Sequence, residues 1–390
     1  MNIVRGIEMK KMLFTVVLSV LFCAAAVAQD AAKPQQPEKI PAVTPGENYK
    51  APALSDPANW MMAVIPDTQT YSKFTRNHGI IDMMFTWIVE NSESLNIQQA
   101  VFLGDLMDCN RRMMVFDWLK YLSATEQWSA ISKLCERFDN KLPYVLATGN
   151  HDYGYVAAED HYTEFPRYFH PERNSKWRNC LVDMAPNNEG HYTLENAAYE
   201  FTTPSGQLVL IVSLAFAPTD TQLAWAKGIF ARKKYKDAFG IVVNHAYLRS
   251  MIDTRDQGPN SRVSVKSYVM EKQGGNIGED IWNKVVRVSP NVKLVLCGHM
   301  CFPEDWRAGL GRQVSINDAG GKVHEVLFDT QALGGGWDGN GGDGWIRLLE
   351  FSKDLKTIKV RTFSPYFAGS PALRKYAWHT HPANEFILEY

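Results

Sequence analysis

Five short polar motifs constrain this chain most, because each stands directly after an apolar, β-prone run. They are Asp67-Thr68-Gln69 after Ala63-Val64-Ile65, Gly104-Asp105-Leu106-Met107-Asp108 after Ala100-Val101-Phe102-Leu103, and Gly149-Asn150-His151-Asp152, which closely follows Tyr144-Val145-Leu146. Asn244-His245 follows Ile241-Val242-Val243, and Gly298-His299-Met300-Cys301 closely follows Leu294-Val295-Leu296. Runs of this kind read as strands buried on both faces, and open α/β sheets place their sites just past the carboxyl ends of such strands. One Gly-Asp or Asn-His pair marks an ordinary turn. Five in series gather carboxylate, amide and imidazole donors together, which is the donor set of a binuclear metal site.

Between the apolar runs lie helical patterns, expected over Ile80–Asn91, Phe116–Phe138, Thr219–Ala231 and Gly278–Ser289. This alternation is the rhythm of an α/β fold. It breaks over Tyr153–Glu189, where aromatic, basic and Pro residues follow no period, and we read that stretch as an inserted loop. Beyond Gly298 the runs shorten to Glu325–Phe328, Trp345–Leu349 and Ile358–Arg361, separated by Gly and Asp, and these are expected to be antiparallel strands. The expected organisation is one domain over 58–365 followed by a tail over 366–390.

With 390 residues, 45% of them hydrophobic, and 11 Trp, the chain can bury a large core. A formal net charge of -1 offers no electrostatic case for nucleic acid as an obligate partner. Lys10-Lys11 precede the apolar run Met12–Ala25, and Ala26-Val27-Ala28 fits a small-residue cleavage site before Gln29. Residues 1–28 are therefore expected to be a secretory signal, giving a periplasmic or extracellular protein. A membrane anchor is the alternative, but the run is shorter than the ~20 residues a span needs, and the mature chain is expected to have none. Cys23 follows the bulky Phe22, a poor match to a lipidation signal. Residues 29–57, rich in Pro, Ala and Gln, look like an extended tether. Five cysteines remain after the leader, an odd number that argues against a disulfide framework.

The ordered motifs resemble those of the calcineurin-like metallophosphoesterase family, whose usual pattern is Asp-x-His, Gly-Asp-x-x-Asp, Gly-Asn-His-Asp/Glu, a lone His, and Gly-His-x-His. The stretch Gly334–Pro365 also resembles exported bacterial members that have Asp-x-Gln in the first motif. The resemblance implies a four-layer α/β/β/α sandwich of two mixed β-sheets flanked by helices, and two divalent metals (Mn, Fe, Zn or Mg). It implies that Asp67 ligates the first metal, that Asp105 bridges both, and that Asn150, His245 and His299 complete the second. His151 would donate a proton to the leaving oxygen, with the Asp108 carboxylate orienting its ring.

The chain departs from that pattern at two places, both belonging to the first metal. Gln69 stands where the family has a His and offers a carbonyl oxygen or no bond; Cys301 replaces the final His and is either a thiolate ligand or a small bystander. Oxidation of Cys301 against Cys109 is a third option. The expected substrate is a phosphorylated small molecule or a phosphodiester. Arg111 and Arg112 are candidates to reach its phosphate, and Tyr153, Tyr155 and His161 to line the leaving-group pocket. Trp337, inside the Gly-rich run Gly334–Gly344, is a candidate to stack on the substrate. A Ser/Thr protein phosphatase is the nearest alternative, disfavoured because Cys109-Asn110 and Asp152 stand where such enzymes have Arg-Gly and Glu. A degenerate fold used as a binding module is the alternative of another class.

Overall fold

The computed structural model describes residues 49–113, 121–252, 262–263 and 267–390. The expected leader, with Cys23, and the expected tether as far as residue 48 lie outside the described residues. Among the described residues, no helix is long and apolar enough to cross a membrane.

The apolar runs form strands. In chain order they are β1 (Trp60–Ile65), β2 (Ile97–Phe102), β3 (Tyr144–Leu146), β4 (Leu181–Pro186), β5 (Tyr192–Thr202), β6 (Leu208–Leu214), β7 (Phe239–Asn244) and β8 (Val292–Cys297). After them come β9 (Leu310–Ile316), β10 (Lys322–Phe328), β11 (Ile346–Phe351), β12 (Thr357–Phe363), β13 (Trp378–His379) and β14 (Phe386–Glu389). One mixed sheet has the order β13-β12-β11-β1-β2-β3, with β14 also on β12; the other runs β4-β5-β6-β7-β8-β10-β9. In the first, β1, β2 and β3 are parallel; in the second, β6, β7, β8 and β10 are.

Alternation along the strands sets the layers. Val209, Ile211, Ile241, Val243, Leu294 and Leu296 share one core with β1 and β2, whereas Leu210, Val212, Val242 and Val295 face the opposite way. That second face packs on Leu223, Ala226 and Ile229. Each such side chain contributes about 1.5–3 kcal/mol on burial, and a one-residue slip would exchange the two sets, so the register is held firmly. A fixed register in turn fixes where the loops after β1, β2, β3, β7 and β8 begin.

Helices cover the outer faces, completing the expected sandwich. The first long helix, α1 (His78–Glu90), packs Phe85 on Phe102 of β2 with ring centroids 5.4 Å apart. The next, α2 (Ala124–Cys135), starts later than Phe116 because Ser123 and Glu126 close a capping box, the Glu126 carboxylate accepting from Ser123 N–H at 2.8 Å. Residues 114–120 lie outside the described residues. Thr219 and Gln222 cap α3 (Asp220–Phe230) in the same way, and the segment from Gly278 is helical to Ile281 and continues as a π-turn over Trp282–Val286.

Four expectations differ from the structure. The stretch read as a loop over 153–189 holds short turns at Phe165–Tyr168 and Ser175–Asn179 and then the edge strand β4; Trp177 anchors it, donating from its indole N–H to the Tyr144 carbonyl at 2.7 Å. The stretch marked off as a tail supplies β13 and β14, both paired with β12. Strand β10 is antiparallel to β9 but parallel to β8, because the chain crosses over between them. Residues just before the expected domain boundary also pack on the first sheet, where Ser55 N–H and hydroxyl donate to Glu350 at 2.6 and 2.5 Å.

Candidate metal centre

The loops at the carboxyl ends of the strands are stitched to one another by their own backbones. Thr68 N–H donates to Asp105 O at 3.1 Å, and Gly298 N–H donates to His245 O at 3.1 Å. The Asp152 carboxylate accepts from Leu106 N–H at 3.0 Å and Gly149 N–H at 2.7 Å, binding the second motif to the third. Burial and the neighbouring Asp105 push Asp152 up to about 8 in spite of those two donors.

Glycine explains the approach of these loops. A Cβ on Gly149 would lie 2.1 Å from Asp105 Oδ1, one on Gly298 2.1 Å from Asp67 Oδ1, and one on Gly104 2.5 Å from His245 Nδ1. Each motif glycine leaves room for a donor of another motif. Asp105 and His299 adopt positive φ, 45° and 78°, at a cost of about 1–3 kcal/mol each, as is common where surrounding structure holds a functional residue in place.

Four donors converge. His245 Nε2 lies 3.1 Å from Asn150 Oδ1, 3.1 Å from His299 Nδ1 and 3.3 Å from Asp105 Oδ2. The other ring nitrogen, Nδ1, is 2.9 Å from the Leu103 carbonyl oxygen, which can only accept, so Nδ1 carries hydrogen and, in the neutral form, the Nε2 lone pair of His245 faces two oxygens, Asn150 Oδ1 and Asp105 Oδ2, that can only accept. Such atoms repel unless a proton or cation lies between them. Tetrahedral bonds of 2.0–2.1 Å set ligand edges of about 3.3 Å, so the spacing fits a divalent cation.

The electrostatics of the cluster follow from its burial. Desolvation works against the charged Asp105, yet His245 and His151 outweigh it and hold its pKa at about 2. For His245, burial is overcome by Asp105, and its pKa is raised; for His299, burial and the His245 charge act together and pull it down to about 3. An ionised carboxylate beside an imidazole kept neutral is the protonation state that metal ligation needs.

His151 stands beside this cluster, its N–H donating to Asp105 Oδ1 at 2.9 Å. Its ring Nδ1 is 2.7 Å from the backbone carbonyl of Asp108, not from the carboxylate that the sequence suggested. That carboxylate turns instead to Lys73 at 3.5 Å and Arg112 at 3.8 Å. Asp108 therefore orients His151 through its main chain, and the carbonyl, being an acceptor only, requires hydrogen on Nδ1.

Asp67 is fully buried, and its Oδ1 lies 3.8 Å from His245 Nδ1 while Oδ2 accepts from His299 N–H at 3.1 Å. Gln69 is buried with a carbonyl oxygen that has no hydrogen-bond partner among the described residues. The Cys301 thiol, also buried, contacts Asp329 and Gln331, and all five described cysteines are free, with the Cys109 thiol taken up by Gln127 Nε2 at 3.5 Å. Sequence reasoning missed Asp329 and Gln331, which follow β10. The signal was present: Asp329-Thr330-Gln331 repeats the tripeptide Asp67-Thr68-Gln69, again directly after a β-prone run.

Several of the candidate substrate residues are engaged by groups outside the donor cluster. Tyr153 is buried, its hydroxyl 3.0 Å from Thr148 Oγ1 and 2.7 Å from Glu195, which makes it a support of the insertion instead of a pocket wall. Arg111 pairs with Asp160 and donates to Gly154 O at 3.0 Å. Tyr155 is exposed, and His161 bonds to Asn188 at 2.6 Å. Trp337 is 42% exposed on a turn pinned by Arg76, which donates to Asp338 O at 2.7 Å, and by Tyr121, which donates to Asp338 Oδ1 at 2.5 Å. Tyr268, not foreseen, lies over the cluster with its ring centroid 5.9 Å from that of His299.

An uncharacterised Bacillus subtilis (strain 168) protein, YvnB, is 28% identical over 305 residues, covering 77% of this chain; the chain spans only 19% of that protein's length. Among solved structures, a dimetal phosphatase from Danio rerio is 10% identical with a TM-score of 0.44, over 86% of this chain and 100% of that one. PhoD is 10% identical with a TM-score of 0.40, over 87% and 70%. GAP50, described as the anchor in the inner membrane complex of Plasmodium, is 14% identical with a TM-score of 0.38, over 79% and 85%. The profile of the calcineurin-like phosphoesterase family matches residues 63–303, more than half of the chain, which spans all five motifs and the donor cluster, and the chain belongs to that family.

Proposed function

We propose that this protein is an exported, metal-dependent hydrolase of a phosphomonoester or phosphodiester. The observation that carries the proposal is the convergence of Asp105, Asn150, His245 and His299 at 3.1–3.3 Å around His245 Nε2, with His151 alongside. Divalent cations held by these residues and Asp67 would supply Lewis-acid polarisation of the phosphoryl oxygens and a water acidic enough to attack near neutral pH. Asp105 has oxygens on both sides of the cluster, Oδ2 toward His245 and Oδ1 toward His151 N–H, as a shared carboxylate requires. The His151 ring, fixed through Nδ1, has Nε2 left to hold a proton for the leaving oxygen. Retention of this proton donor favours catalysis over a binding role.

The test is a panel of aryl phosphate monoesters and diesters assayed with Mn²⁺, Zn²⁺, Mg²⁺ and Fe²⁺, beside a His151→Ala control. Metal-dependent turnover that is lost in the control is expected. No turnover on any ester with any cation, in protein that binds metal, would return the fold to a binding role.

A further inference from the structure

Departure from the family pattern at Gln69 and Cys301 leaves the first cation short of two imidazoles, yet the structure places two unforeseen polar groups, Asp329 and Gln331, beside Asp67. Gln331 Nε2 donates to Asp67 Oδ2 and to Asp329 Oδ2, each at 3.3 Å. Asp67 and Asp329 are themselves in side-chain hydrogen-bond contact, and the Cys301 thiol bonds to Asp329. Strand register explains how this comes about. Leu327 of β10 sits opposite Cys297 of β8 in a parallel pair, so the chain leaves both strands at the same edge, with Asp329 beside the His299 loop.

Two buried carboxylates in contact are costly without a cation or a proton between them. An independent sign comes from the amides. Gln331 is 2% exposed and Gln69 4% exposed, and the carbonyl oxygen of each has no hydrogen-bond partner among the described residues. A buried amide oxygen without a donor costs about 1–3 kcal/mol, and Gln331 belongs to the same hydrogen-bonded group as the two carboxylates.

We propose that Asp329 is a metal ligand, and that Asp67 and Asp329, with the Gln331 amide oxygen, hold one divalent cation next to the position built by Asp105, Asn150, His245 and His299. This deepens the function proposed above and rests on it. The two positions then differ in chemistry. One is rich in imidazole; the other has two carboxylates and amide oxygen, hard donors that suit Mn²⁺ or Mg²⁺. The second Asp-Thr-Gln tripeptide thus takes over the ligation that His residues give elsewhere in the family.

The experiment is titration of metal-stripped full-length protein with Mn²⁺, counting bound ions by electron paramagnetic resonance and elemental analysis, for wild type, Asp329→Asn and His299→Ala. Wild type is expected to bind two equivalents, and Asp329→Asn to keep one while the other weakens more than about 100-fold, beyond the about 10–100-fold loss typical of a residue that only orients a ligand. His299→Ala should lose the complementary equivalent. Anomalous diffraction from wild-type crystals soaked in Mn²⁺ provides a readout independent of variant folding, with a peak expected within bonding distance of an Asp329 carboxylate oxygen. A peak bonded to Asp67 but not to Asp329, or less than about tenfold weakening in Asp329→Asn, overturns the inference. A single equivalent abolished by His299→Ala also overturns it and leaves the proposed function standing, whereas no bound Mn²⁺, Zn²⁺ or Fe²⁺ in wild type rejects both.

Discussion

Gly298→Ala puts the crossed-loop construction of the centre to a quantitative test. Gly298 does not need a left-handed backbone, so alanine adds only a methyl group. That methyl would lie 2.1 Å from Asp67 Oδ1 and 3.2 Å from both Asp67 Cγ and Leu103 Cβ, when contacts under 3.0 Å are essentially never seen. The carboxylate must retreat by about 1 Å. It has little room to do so, being fully buried and held by His299 N–H at 3.1 Å and Gln331 Nε2 at 3.3 Å. Overpacking of this kind costs about 1–3 kcal/mol of stability, and a 1 Å displacement at a reacting centre costs about 10²-fold in rate, equivalent to about 2.7 kcal/mol of barrier. The assay compares urea unfolding midpoints, bound metal and turnover on an aryl phosphate. Gly228→Ala is the control: it lies within α3 with open space around its Cβ, and should stabilise by up to about 1 kcal/mol. A folded Gly298→Ala protein with metal content and turnover within about threefold of wild type would refute the idea that this glycine exists to admit Asp67.

His151→Ala should bind metal as wild type does and lose turnover by about 10²–10⁴-fold on an ester with a poor leaving group, measured by steady-state kinetics beside metal analysis; near wild-type turnover removes it from the chemistry. Tyr153→Phe removes the donor to Glu195 Oε2, while Asn187 and Thr193 still donate to Oε1, and should cost about 1–3 kcal/mol in urea unfolding with KM unchanged; a raised KM at unaltered stability would return Tyr153 to the substrate pocket. Burial works against the Glu350 carboxylate, but hydrogen bonds from Ser55 and Asn59 and the Arg361 guanidinium outweigh it and hold its pKa below the usual value. Its stabilisation is therefore present above an unfolded pKa of about 4.3 and is lost as pH falls through the lower folded value. Glu350→Gln should destabilise by about 1–3 kcal/mol at pH 7, and the gap to wild type in thermal melts should close below about pH 4; a gap that persists there rules out the charge as its origin.

Local chemistry made much of this protein legible in its sequence. Apolar runs ending in Gly-Asp, Gly-Asn-His-Asp, Asn-His and Gly-His announced strands that terminate in donors, because strand burial and loop polarity are both written in consecutive residues. The capping pairs Ser123/Glu126 and Thr219/Gln222 were there to be read as well, each spanning three positions. What sequence could not settle were relations between residues far apart in the chain. Whether Asp108 holds His151 by its carboxylate or its carbonyl depends on Lys73, 35 residues away, competing for the charged group. Tyr153 looked like a pocket residue until Glu195 claimed its hydroxyl. The repeated Asp-Thr-Gln tripeptide marked Asp329, but its place beside Asp67 was settled only by β10 running parallel to β8, because a ligand is recognised by where its oxygen lies and not by its neighbours in the chain. Sequence by itself determined the donor types and the strands that carry them; only the tertiary structure decided which donors meet, since convergence within about 3.3 Å is a property of two packed sheets and the register that locks them.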